Sequence, residues 1–284
     1  MKSVVVTGSS SGIGRACALM LDRNGFRVLA GVRKDADGEA LRSAASESLT
    51  PLYIDVTDPA SIQSMADEVK AAVGDAGLQG LVNNAGTTLP CPIEYLPLDG
   101  FRQQLEVNLV GPLAVTQALL PPLLRGRGRI VNVTSAAGKA GVPLMAAYVA
   151  AKHGLEGLSD VLRLELGPLG VQVAVIEPGF VSTAMRGKLE HDTPEIIRAL
   201  PDQGQRRYGG QLTAMAESIS KHAARGSDPD VVAADVLHAL TSAKPRTRYP
   251  SGAGAKRMLF MRRILPDRRF DRIILRAGGL AGQR

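Results

Sequence analysis

Short β-branched runs alternate with longer helical stretches along the first 180 residues. The runs are "SVVVTG", "FRVLAGVR", "LTPLYIDV", "GLVNNAG", "GRIVNVTS" and "VQVAVIEPG". Between them lie segments with helical periodicity, such as "RACALMLDRNG" and "DPASIQSMADEVKAAVG". Strands and helices of these lengths predict βαβ units and a parallel sheet. The near-continuous apolar character of the strands predicts a sheet covered on both faces. The expected fold class is α/β, a doubly wound parallel sheet of the Rossmann type. One domain is expected over 1–250, with 181–226 as irregular substrate-side loops and helices and 251–284 as a helical extension. "SDPDVVAADVLHALTSA" predicts a helix capped by Asp228 with Pro229 in its first turn, and "RTRYPSG" a last short strand.

Composition suits a globular protein with a core: 45% of the 284 residues are hydrophobic and 21% charged. The two cysteines, Cys17 and Cys91, and four scattered histidines form no metal-ligand spacing, so reduced thiols and no bound metal are expected. The amino terminus enters a strand at once, and no segment approaches the ~18 apolar residues of a membrane span. A cytoplasmic protein is the default expectation. The net charge of +7 is uneven, because twelve Lys/Arg and two Asp fall between Lys244 and Arg284. The body is close to neutral and the tail is basic.

"TGSSSGIG", Thr7 to Gly14, joins the first strand to the first helix. Gly8, Gly12 and Gly14 permit a tight turn and close backbone approach to a pyrophosphate. The helix N-terminus, which includes Ile13, supplies free N–H groups and a positive dipole that favour an anion, and Ser10 and Ser11 could add hydrogen bonds to a 2′-phosphate on the adenine ribose. A nucleotide is the expected ligand.

"YVAAK" places Tyr148 and Lys152 four residues apart, on one helical face. The helix is predicted from near Ala147 to Leu166. A free phenol has a pKa of about 10, and lowering it by about three units needs about 4 kcal/mol of differential stabilisation. A neighbouring ammonium stabilises phenolate, which makes the pair an acid/base candidate. The alternative is a buried ring and a lysine reaching solvent. His153 points to another face and is read as structural.

With these motifs in order, the chain resembles the short-chain dehydrogenase/reductase family. "TGSSSGIG" matches its glycine motif, and "NNAG" (Asn83 to Gly86) the motif after its fourth strand. Asn108 in "EVNLVG", Ser135 in "VNVTSAAG", and Tyr148 with Lys152 match its active-site tetrad. "EPGF" followed by Thr183 matches its segment beside the nicotinamide. The resemblance covers about residues 3 to 184 and implies hydride transfer between a nicotinamide cofactor and a small-molecule alcohol or carbonyl substrate. It implies Tyr148 as general acid or base and Ser135 as a hydrogen-bond partner of the substrate oxygen. Lys152, together with the positive ring of the oxidised nicotinamide, would lower the Tyr148 pKa, and Lys152 would hold the nicotinamide ribose. Asn108 would anchor a water, its alternative being a helix asparagine bonded to backbone. Asn84, Ala85 and Gly86, then Pro178, Gly179, Val181 and Thr183, would join the cofactor-binding set. A homodimer or homotetramer is expected by the same resemblance. A non-catalytic dinucleotide-sensing protein is the rival reading, opposed by the intact tetrad.

At the end of the second strand, Gly31 stands where an acidic side chain would bind the adenine ribose, and Arg33 and Lys34 follow. A missing acid beside two cations favours a 2′-phosphate, hence NADP(H). NAD(H) is the alternative, with Asp35 or Asp37 on the ribose. By the resemblance, Asp55 and Val56, ending the third strand, lie beside the adenine.

Leu89, Pro90, Ile93, Val142, Leu144 and Met145 are candidate pocket walls, all apolar. They suggest a hydrophobic alcohol or ketone, lipid-, retinoid- or steroid-like. The basic tail is expected to pack on the body or a neighbouring subunit. Peripheral contact with an anionic membrane is an alternative. Nucleic acid is not expected, since the tail offers only Phe260 and Phe270 as stacking rings.

Overall fold

In the computed structural model, which describes residues 1–183 and 185–280, seven parallel strands form one sheet in the order β3-β2-β1-β4-β5-β6-β7. The strands are β1 (Lys2–Val6), β2 (Phe26–Val32), β3 (Leu49–Tyr53), β4 (Gly80–Asn83), β5 (Arg129–Val133), β6 (Gln172–Pro178) and β7 (Arg248–Ser251). β1 pairs with β2 on one side and β4 on the other, so Val6 lies between Ala30 and Val82. Chain direction across the sheet reverses there, and open α/β sheets bind ligands at the carboxyl ends of strands flanking such a point. The expected doubly wound fold is the one observed.

Eleven α-helices are described: α1 (Gly12–Arg23), α2 (Asp35–Arg42), α3 (Pro59–Val73), α4 (Leu98–Leu105), α5 (Gly111–Arg125), α6 (Ala146–Leu166), α7 (Met185–Ala199), α8 (Asp202–Ala224), α9 (Pro229–Thr241), α10 (Ala255–Ile264) and α11 (Asp267–Ala277). Burial on both faces explains the unbroken apolar strands. Val4, Val6, Val28 and Ala30 face a core with Leu21 of α1 and Val232 and Val236 of α9. Val5, Leu29, Leu81 and Ile130 face the other, with Met65 of α3, Leu119 of α5 and Leu162 of α6. Asp58 caps α3 by accepting from Ala60 N at 3.0 Å, and Asp228 caps α9 by accepting from Asp230 N at 2.8 Å. Each is followed by proline in the first turn, as read from the sequence at α9.

Three expectations are corrected. Residues 181–226 are not chiefly irregular, since α7 and α8 occupy most of the segment and pack on each other. β3 stops at Tyr53, so Asp55 and Val56 follow the strand rather than end it. The expectation that no segment reaches membrane-span length also fails. A π-helical turn, Glu106–Val110, fuses α4 and α5 into one helical stretch, Leu98–Arg125, long and apolar enough by length and composition to span. Its apolar character has another cause, because Val115, Leu119 and Leu123 are fully buried against the sheet.

The basic extension packs on the body. Phe270 of α11 is buried, and Ser218 Oγ of α8 donates to the carbonyl of Ala277.

Candidate active site

The glycine turn leaves β1 and enters α1 with Gly8 at φ +67° and Gly12 at φ +53°, values that favour glycine. Ser11 precedes α1 with extended backbone and its side chain makes no cap bond. Arg15 N donates to Ser11 O at 3.2 Å. The N–H groups of Gly12, Ile13 and Gly14 therefore sit at an uncapped helix start with no acidic residue in the first turn. A β-carbon on Gly14 would collide with the Gly8 carbonyl, and one on Gly12 would meet Thr183 Cγ2 at 3.1 Å. The turn thus rests against Thr183. This cradle fits the phosphates of a dinucleotide. Ser10 is exposed at its rim.

Thr7 was not anticipated as an organiser. Its hydroxyl accepts from Asn84 N and Ala85 N, both at 3.0 Å, while Asn84 Nδ2 donates back to Thr7 O and Gly8 O at 3.0 and 3.1 Å. Residues 77 apart in sequence are locked into one floor. A period-2 strand pattern carries no signal for this, because the hydroxyl sits one residue beyond the strand.

Gly31 carbonyl accepts from Ser9 N at 2.8 Å, and a β-carbon on Gly31 would meet Ile54 Cγ2 at 2.7 Å. No larger residue fits there without movement of Ile54. Arg33 and Lys34 are exposed just beyond β2, Lys34 being the N-cap residue of α2. Asp35 and Asp37 lie in the first turn of α2. The Asp55 carboxylate accepts from Thr57 N at 2.9 Å and Thr57 Oγ1 at 2.7 Å. The Thr57 backbone, then its hydroxyl, hold it below the usual carboxylate range, with Arg33 a smaller contributor. Val56 is buried, and its carbonyl lies 2.8 Å from where a β-carbon on Gly111 would stand.

The four tetrad candidates converge from β5, α6 and the π-helical turn. That turn buries Asn108 completely. Its Nδ2 donates to Thr87 O and Gln104 O at 3.0 Å each, and its Oδ1 accepts from Thr87 N at 3.1 Å. Asn108 therefore bonds backbone, as in the alternative reading. One of its acceptors belongs to the segment following "NNAG". Gly86 lies between Asn108 and Lys152: a β-carbon there would be 2.8 Å from Asn108 Oδ1 and 3.8 Å from Lys152 Nζ. Lys152 is 4% exposed, and its ammonium donates to Val133 O at 2.9 Å. Burial lowers its pKa to about 8, with Glu156 opposing the shift.

Ser135 Oγ accepts from Ala137 N at 3.1 Å. Lys152 Nζ lies 5.9 Å from the centre of the Tyr148 ring. Burial pushes the Tyr148 phenol above its ordinary value, and the Ser135 hydroxyl only partly opposes it. The resting group is a neutral phenol.

Val142, Leu144 and Met145 pack with Tyr148, Tyr95, Tyr208, Leu212 and Met215 in one apolar cluster under α7 and α8. Leu144 adopts φ +62° and its carbonyl accepts from Cys91 N at 2.8 Å. Pro90 is buried and Leu89 half-buried. Ile93 is 78% exposed, so it is no wall of this cluster. Arg207 and Tyr208 of α8 both bond the Glu94 carboxylate, at 2.7 and 2.8 Å, tying α8 to the 93–95 turn. Pro178 ends β6, and Gly179 N donates to Ser251 O at 2.9 Å. Val181 bridges Ser227. His153 is exposed and its ring bonds Val149 O, consistent with a structural role. Cys17 is fully buried, its thiol pushed up to about 12 by burial.

A doubly wound sheet with an anion cradle at its switch point and a serine, a phenol and an ammonium beside it defines a nicotinamide-dependent oxidoreductase acting on alcohol and carbonyl groups. The chain belongs to the short chain dehydrogenase family, whose model matches residues 2–194. It is 39% identical to retinol dehydrogenase 5 of Mus musculus over 277 residues, covering 95% of this chain and 87% of that one. It is 36% identical to human 17-beta-hydroxysteroid dehydrogenase type 6 over 281 residues, covering 97% and 88%. A crystal structure of a short chain dehydrogenase from Burkholderia cenocepacia J2315 in complex with NADP superimposes with a TM-score of 0.71 at 25% identity, covering 97% of this chain and 99% of that one.

Proposed function

We propose that this protein reduces an apolar ketone or aldehyde, or oxidises the matching alcohol, with NADP(H), using Ser135, Tyr148 and Lys152. The observation that carries the reading is the buried Lys152 ammonium, 5.9 Å from the centre of the Tyr148 ring, beside the apolar cluster that holds Tyr148 with Leu144, Met145, Leu212 and Met215. When bound, the nicotinamide supplies or accepts the hydride. The chain's part is the proton. Ser135 and the Tyr148 hydroxyl would hold the substrate oxygen, and Tyr148 would donate to it in reduction and accept from it in oxidation. The neutral phenol suits donation without prior protonation. Lys152 would hold the ribose and bias Tyr148 towards ionisation. Asn108 keeps the 84–87 segment against Lys152.

The retinol and hydroxysteroid dehydrogenases among its relatives support an apolar, lipid-like substrate. A panel of carbonyls and alcohols, read by nicotinamide absorbance with Tyr148→Phe as control, tests this. Turnover of small polar sugars in preference to apolar carbonyls would reject the substrate class. The closed Gly31 site and exposed Arg33 and Lys34 support NADP(H). Preference for NAD(H), unaltered by Arg33→Ala, would reject that choice.

Phe260 and Ile264 of α10 are 62% and 56% exposed among the Lys256, Arg257 and Arg263 cations. That pairing supports a peripheral contact with anionic lipid through the tail. Co-sedimentation with phosphatidylserine vesicles, lost in Phe260→Ser/Ile264→Ser, tests it. The exposed Val161, Leu164 and Leu169 at the end of α6 and beyond support an oligomer, tested by light scattering.

A further inference from the structure

One turn beyond Lys152 on α6 lies Glu156, a carboxylate only 4% exposed. Its Oε1 accepts from Thr134 Oγ1 at 2.6 Å. Its Oε2 accepts from Arg248 Nε at 3.1 Å and lies 3.2 Å from Lys139 Nζ. A buried carboxylate persists only when its oxygens are paired, and these partners come from different parts of the chain. Thr134 stands between Val133, the acceptor of the Lys152 ammonium, and Ser135. Lys139 closes the short turn Ala136–Gly138 that follows Ser135. A β-carbon on Gly138 would lie 3.1 Å from Lys152 O and 3.2 Å from Glu156 Cγ, so that turn lies flat on α6 between the two residues. Arg248 reaches in from β7.

We infer that Glu156 is a positioning residue for the reaction, clamping the strand end that carries Ser135 onto the helix that carries Tyr148 and Lys152. The inference rests on the reading that those three residues perform the chemistry. Glu156 touches none of the groups assigned to substrate or cofactor and acts through Thr134 and Lys139. Its negative charge also faces the Lys152 side of the helix and favours the ammonium there. Other charged groups around it are Arg248, Lys139, Glu177 on β6, which lies 3.8 Å from Arg248, and Asp160 on α6, paired with Arg163 and Arg248.

Three variants of the full chain test this: Glu156→Gln, which keeps the shape and loses the charge; Glu156→Asp, which keeps the charge and shortens the reach; and Thr134→Val, which removes one arm. Turnover of an apolar carbonyl with NADPH is measured against pH. NADPH affinity is measured by fluorescence, and folding by thermal melt. Glu156→Gln is expected to lower kcat by about tenfold or more with NADPH affinity changed less than about threefold. The alkaline limb of its profile should move down by about one pH unit, since Lys152 loses a favourable negative neighbour. Glu156→Asp should restore the limb while kcat stays low. Unchanged kcat per folded molecule, or a loss with the limb unmoved in Glu156→Gln, overturns the proposal. If Glu156→Gln does not fold, Thr134→Val decides: reduced kcat with an unmoved limb supports the clamp, and wild-type kcat refutes it. Tyr148→Phe, assayed alongside, separates the two levels. Wild-type turnover in Tyr148→Phe sinks the tetrad reading itself. Loss of turnover there with an unaffected Glu156→Gln sinks only the clamp.

Discussion

Lys152 donates from its buried ammonium to the carbonyl oxygen of Val133 at 2.9 Å, two residues before Ser135. The lysine is thereby fastened to the strand that presents the serine, and its charge is maintained by one backbone dipole and by Glu156 against desolvation. Because its pKa is lowered to about 8, the ammonium is present at neutral pH and lost above it. Reductive turnover is expected to hold level to about pH 8 and then fall as the ammonium deprotonates, while Tyr148, pushed up, stays protonated throughout that range. A kcat–pH profile checks this. A flat profile through pH 9.5 would contradict the role given to the charge.

Glu177 is 2% exposed, its Oε1 accepts no hydrogen bond, and the nearest Arg248 nitrogen is 3.8 Å away. Burial first, and the neighbouring Glu156 second, raise its pKa from 4.5 to about 7. A carboxyl with a raised folded pKa binds its proton more tightly in the native state, so stability falls as pH rises from about 4.5 through 7. Glu177→Gln should stabilise the fold at pH 8 by about 2 kcal/mol, with the difference gone near pH 4.5. Melting curves at the two pH values check the sign. Equal destabilisation at both would mean that the carboxylate is fully paired.

A methyl group on Gly14 would collide with the Gly8 carbonyl and the Asn84 amide. Gly14→Ala should cost about 3 kcal/mol of stability and abolish detectable NADPH binding. Gly141 has nothing within 4 Å of its would-be β-carbon, so Gly141→Ala serves as the control and should be neutral. Isothermal titration of both variants gives the comparison.

Thr7→Val keeps the shape of the side chain and deletes the acceptor of the Asn84 and Ala85 amides. Leaving two backbone donors unpaired should cost about 2 kcal/mol, seen as a lower melting temperature. It should also weaken cofactor binding, because the Asn84–Gly86 floor loosens. Thr7→Ser, which keeps the oxygen, should recover most of both.

The alternation of runs made the sheet legible, because two-sided burial forces near-continuous apolar strands whatever the substrate. The caps of α9 were legible for a similar reason, since aspartate followed by proline satisfies a helix start locally. The glycine turn and the Tyr148–Lys152 spacing were readable because their chemistry depends on neighbours within one turn. Residues 185–224 were not read as two long helices, since glycines and prolines there blur the period and packing of α7 on α8 restores it. Ile93 looked like a pocket wall because hydrophobicity says nothing of direction.

Other properties belong to the tertiary structure alone. How far the Tyr148 phenol is dried is one of them, and burial in the folded chain pushes its pKa up. Arg248 read as one more tail cation until β7 carried it into the carboxylates of Glu156 and Asp160. Local sequence determines periodicity, caps and turns, because those energies act over a few residues. Protonation and side-chain partnership are set by burial and by groups 70 to 110 positions away, distances that only the closed sheet brings within a hydrogen bond.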